Sequence, residues 1–123
     1  MVLNKFFSWL KGDGVLFLST PSKNAPLFKI GITKKRDIKT GHLRRYTTKN
    51  LTEKLKKIGF TIIKTKKTEG ILRNFLFFTN IGCFPLRLAN KFQLISDIFT
   101  FLDNISLKLF GESQIIIVAQ KPK

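Results

Sequence analysis

Acidic residues are scarce in this chain: seven Asp and Glu stand against 23 Lys and Arg, a formal net charge of +16 over 123 residues. A field of that sign attracts nucleic acid, anionic lipid headgroups or phosphorylated substrates. Cysteine is reduced to Cys83, so no intrachain disulfide can form and a reducing, cytoplasmic setting is expected. Histidine is reduced to His42, far from Cys83 and with no carboxylate cluster near either, which argues against a zinc site. Long apolar runs are missing as well. The longest charge-free stretch in the apolar part of the chain, residues 74–86, contains Gly82 and Pro85 and falls short of the about 20 residues a bilayer span needs. The aromatic start around Phe6, Phe7 and Trp9 is too short for a signal segment, is broken by Ser8 and Lys11, and precedes no small-residue cleavage pattern. No transmembrane segment is expected, and membrane association, if any, is peripheral.

What is present fits one ordinary domain, with hydrophobic residues at 43%. Leu3, Phe6, Phe7 and Leu10 share one helical face, and Gly12-Asp13-Gly14 turns the chain into an apolar strand over residues 14–21. That Gly-x-Gly precedes a strand, whereas a phosphate-binding glycine loop follows one and opens a helix. The strand lacks alternation, so coverage on both faces is expected, as in a parallel sheet. Residues 22–41 read as a long polar loop. A helix then begins within residues 41–47, with Thr47 or Thr48 as cap and Leu51, Leu55 and Ile58 on one face. Gly59 ends it, and residues 60–65 form a second strand near an edge. Residues 71–110 are apolar. Over residues 92–110 the apolar positions cover about half of a helix circumference, suiting core packing or a partner surface. Phe75, Phe77 and Phe78 beside Arg73 are the candidates for lipid contact. Residues 113–120 form a third strand of central character.

Fourteen of the basic residues lie within residues 29–67, against Asp37 and Glu53 alone. A solvated Lys-rich face and a weak, nonspecific site for anionic partners both fit, and no aromatic platform interleaves the charges as general RNA binding normally requires.

The order Gly14-Val15-Leu16-Phe17-Leu18-Ser19-Thr20-Pro21, then His42-Leu43-Arg44 with Tyr46-Thr47, then Leu51, Leu55 and Gly59-Phe60, closing on Val118-Ala119-Gln120-Lys121-Pro122, resembles the C-terminal half of class I S-adenosylmethionine-dependent methyltransferases. The resemblance implies an α/β, partial Rossmann-like three-layer fold with a mixed sheet of about three strands, the last antiparallel and inserted between the other two. Residues 1–123 would form one partial domain, with 71–110 as a helical insertion before the last strand. It also implies S-adenosylmethionine as the intact enzyme's cofactor. None is expected for this chain alone, because no Asp/Glu-x-Gly-x-Gly-x-Gly loop and no acidic residue ending a second strand are present. The acceptor is undetermined and the isolated chain is expected to be inactive. In relatives, residues after the Ser-Thr-Pro strand approach the acceptor, so Thr20, Pro21, His42, Arg44 and Tyr46 are the candidate substrate-binding residues. His42, with its near-neutral unperturbed pKa, is the candidate catalytic base, against a hydrogen-bonding role at the start of the helix. Thr20 and Pro21 shape the pocket, and Arg44 and Tyr46 would orient an anionic acceptor. An N-terminal half or a second copy would pair with the exposed strand edge. The alternative is a noncatalytic basic module for RNA, anionic membrane or a partner polypeptide.

Overall fold

A computed structural model describes residues 2–39, 41, 44–78 and 82–123, with the backbone alone at 36, 77 and 78. Helix α1 (Val2–Trp9) leads through a glycine turn into strand β1 (Val15–Pro21). Two short helices, α2 (Pro26–Lys29) and α3 (Lys34–Lys39), precede α4 (Thr48–Ile58) and strand β2 (Thr61–Thr68). Helices α5 (Ile71–Phe78), α6 (Cys83–Lys91) and α7 (Gln93–Phe110) then return the chain to strand β3 (Gln114–Gln120).

Helix α4 starts at Thr48, later than a Gly41 start, because the Thr47 hydroxyl accepts from the Asn50 amide and fixes the first turn. It stops at Gly59, whose φ of 112° is one that side chains disfavour. Leu51 and Leu55 on its inner face are fully buried against Ile115, Ile117 and Ala119 of β3. Leu3 and Phe60 complete this core, and the Phe7 ring stands edge-on to Phe60 at 4.9 Å.

The apolar run of β3 lies between β1 and β2 and runs antiparallel to each. The expected mixed sheet does not form. β1 and β2 run the same way, but β3 separates them, so both pairings are antiparallel. The register sets Leu16, Leu18 and Thr20 opposite Ala119, Ile117 and Ile115 on the core face. On the other face Val15 and Phe17 are 53% and 65% exposed, so β1 is not covered on both sides. Nor is a third layer present among the described residues. Helices α5, α6 and α7 pack on one another, leaving the second face of β1 open.

The segment expected to be a loop is tied down by side chains. Arg45 donates to both oxygens of Asp37 at 2.8 Å and to the Ser22 carbonyl at 3.0 Å, with its guanidinium 4.4 Å from the centre of the Phe28 ring. This bidentate pair, almost wholly buried, anchors α3 to the end of β1.

The two outer strands differ in how they meet solvent. Gly14 and Ser22 bond to Lys121 and Ser113, which sets the phase of the ladder and turns the amides of Val15, Phe17 and Ser19 away from β3. That edge is apolar. The β2 edge carries exposed Lys64, Lys66 and Lys67 and a bulge between Ile62 and Lys64, devices that discourage pairing with another chain.

Candidate functional site

A cleft of about 420 Å³ opens at the C-terminal end of β1. Its floor is Leu18, Ser19 and Thr20, its walls are Val2, Leu3 and Phe6 of α1 with Leu51 of α4, and Arg44 and Tyr46 close it from the segment before α4. That segment is held by a parallel bridge between Ser22 and Tyr46, with the Lys23 amide donating to the Tyr46 carbonyl at 3.0 Å. Side chains alternate along such an extended stretch. Arg45 points inward to Asp37, and its neighbours Arg44 and Tyr46 therefore face the cleft.

Three of the five candidate residues thus converge: Thr20, Arg44 and Tyr46. Pro21 does not line the cleft and instead lines a separate recess of about 110 Å³ with Asp37 and Arg45. His42 lies outside the described residues. The lining is mostly apolar and the mouth is positive. Arg44 is exposed and has no ion-pair partner among the described residues, and the Lys54 ammonium sits 4.9 Å from the centre of the Tyr46 ring. The chemistry is that of a site for an apolar body bearing a negative group.

Sequence reasoning missed the residues that hold this end of the sheet. Glu112 is buried, accepts from Ser22 Oγ and Asn24 Nδ2 at 3.1 Å each, and pairs with Lys67 at 3.4 Å. Burial opposes its charge, but a backbone hydrogen bond, Asn24, Ser22 and Lys67 outweigh that and hold its pKa below the ordinary value. A lone acid after a glycine, between a helix and a strand, was the only local signal.

Glu112, a carboxylate near the end of β1, is engaged by Ser22, Asn24 and Lys67. The glycine turn before β1 has Asp13 bonded to Lys121 rather than a ring of free amides. No three His, Cys, Asp or Glu side chains among the described residues are placed to hold a metal. Comparison with protein-family models and with curated proteins gives no match.

Proposed function

We propose that these residues form the acceptor-side portion of an S-adenosylmethionine-dependent methyltransferase domain with Rossmann-like topology, the cofactor-binding strands being supplied by polypeptide outside them. The observation that carries the reading is the sheet order β1-β3-β2, with the last strand reversed in the centre and the β1 edge left unpaired. The convergence of Thr20, Arg44 and Tyr46 on one cleft supports it. Methyl transfer from a sulfonium needs the acceptor held in line and water kept out, which an apolar cleft with one orienting cation would supply. Added strands would continue the sheet from Val15, Phe17 and Ser19.

Mapping the natural transcript and protein tests this. The reading expects a strand followed by a glycine-rich loop, encoded upstream or on a partner polypeptide, and S-adenosylmethionine binding by the completed assembly. In titration calorimetry the 123 residues alone should not bind the cofactor at micromolar concentration, since half a pocket leaves its polar groups unpaired. Micromolar binding by the isolated monomer, or a completed assembly with no cofactor affinity, would overturn it.

A further inference from the structure

Apolar surface is left open on α7, where Leu94, Phe101 and Leu109 are more than 60% exposed. No helix among the described residues is long and apolar enough to cross a membrane. The cleft beside α1 differs from the α7 surface because its apolar walls and a cation line one cavity. Leu3, Phe6, Leu18 and Leu51 supply the apolar lining, and Arg44 and Tyr46 close the mouth. These groups belong to α1, β1, α4 and the segment before α4, so the cleft forms without further strands on the β1 edge.

The charge at the mouth has one sign. Arg45 is taken up by Asp37 and the Ser22 carbonyl, whereas Arg44 joins none of the ion pairs of the described residues. No Asp or Glu lines the cleft among the described residues, and the Lys54 ammonium over the Tyr46 ring adds positive potential at the same end. A single planar guanidinium matches a carboxylate at two points and in charge. A phosphate dianion would hold its second charge against apolar walls without a partner. At about 30 Å³ for a water-sized group, the cleft has room for about a dozen methylene-sized groups.

We infer that the cleft binds a single-chain amphipathic carboxylate, its tail against Leu3, Phe6, Leu18 and Leu51 and its headgroup on the Arg44 guanidinium. The role of this molecule as methyl acceptor rests on the methyltransferase reading. Its binding to the chain does not, since neither the cofactor nor added strands contribute to the lining described. The competing outcome is uptake of the same tail by the exposed face of α7, and substitutions on α1 and α7 separate the two.

Titration calorimetry of the purified chain with decanoate, below its micellar range, decides it. Decanoate should bind, decyltrimethylammonium should bind at least about tenfold more weakly, and octanoate, two methylenes shorter, about tenfold more weakly. Decyl phosphate should bind no more tightly than decanoate. Arg44→Gln should lower decanoate affinity about tenfold, whereas Lys57→Gln, which removes the same charge from the exposed side of α4, should cost less than about twofold. Val2→Glu, which puts a carboxylate in the cleft wall, should cost at least about tenfold, and Leu94→Glu on α7 less than about twofold. All four side chains are exposed, so far-UV circular dichroism should be unchanged. A negative result here leaves the methyltransferase reading to its own test, cofactor binding by the completed assembly, and the loss of that reading leaves the binding result standing. The inference fails if decanoate does not bind, if decyltrimethylammonium binds as well or decyl phosphate better, if Arg44→Gln costs no more than Lys57→Gln, or if Leu94→Glu and not Val2→Glu abolishes binding.

Discussion

The sheet with α1 and α4 and the α5–α7 region solve burial in opposite ways. In the first, Leu51, Leu55, Ile115 and Ile117 are at most 1% exposed, and the buried polar groups Ser22, Glu112 and Ser113 sit where β1 ends and β3 begins. In the second, Asp103, Ser106 and Asn74 are buried while Leu94, Phe101 and Leu109 are more than 60% exposed, apart from the buried polar three. The first region is held by apolar area removed from water. The second is held by a charge-assisted cap: the Asp103 carboxylate, reaching from α7, accepts the Gly70 and Arg73 amides that open α5. Gly70 is required there, since a Cβ would collide with Ser106 Oγ and the Asp103 carbonyl. An apolar core closes on itself, whereas a polar anchor leaves the apolar side of its helix available to something else.

Breaking the anchor of the first region has the largest expected effect. Arg45→Ala removes two charge-assisted bonds to the buried Asp37 carboxylate and one to the Ser22 carbonyl, and should destabilise the chain by about 4 kcal/mol in denaturant unfolding. The comparison sharpens with one substitution made twice. Leu55→Ala, at 0% exposure, should cost about 3 kcal/mol, and Leu94→Ala, at 73%, within about 0.5 kcal/mol. Equal costs would mean that α7 is packed like a core helix. Asp103→Ala leaves two amides without their acceptor and should cost about 2 kcal/mol. Hydrogen exchange should show that loss in α5 while β3 remains protected.

The smallest effects are those of pH, and the two regions respond with opposite sign. Glu69, where the chain enters α5, has its pKa raised by burial and by Asp103, with Arg73 opposing. Its contribution is fully present below the unfolded value of 4.5 and is lost as pH rises through the folded value. Glu112, at the start of β3, has a lowered pKa. Its contribution is present above 4.5 and is lost as pH falls through the folded value. Thermal melts across this range should show Glu69→Gln removing the loss on the alkaline side and Glu112→Gln the loss on the acid side.

Much of the first region was legible because its determinants are local. Thr47, the Leu51–Leu55 spacing and Gly59 place α4 within a few residues, and the unbroken run Ile115-Ile116-Ile117-Val118 marks the central strand. The β1 run is equally apolar, yet one face is open, because apolar content does not reveal which neighbours the chain supplies. Helix α3 is anchored by Arg45 meeting Asp37, a pairing no periodicity announces. The orientation of α7 was hidden for the same reason. A wide apolar arc predicts a buried face, and only the distant amides of Gly70 and Arg73 explain why Asp103 turns inward instead. At the cleft, alternation around Arg45 selects Arg44 and Tyr46, while Pro21 lines the neighbouring recess instead.

Native-state hydrogen exchange on the purified chain, with light scattering to establish its mass, tests most directly whether β1 is an edge awaiting further strands. The amides of Leu16, Leu18 and Thr20, which face β3, should be protected together with Ile115, Ile117 and Ala119. Those of Val15, Phe17 and Ser19 should exchange rapidly in the monomer and slow down only when another polypeptide pairs with them. Strong protection of Val15, Phe17 and Ser19 in a proven monomer would mean that the edge is already covered within the chain, and the half-domain reading would be contradicted.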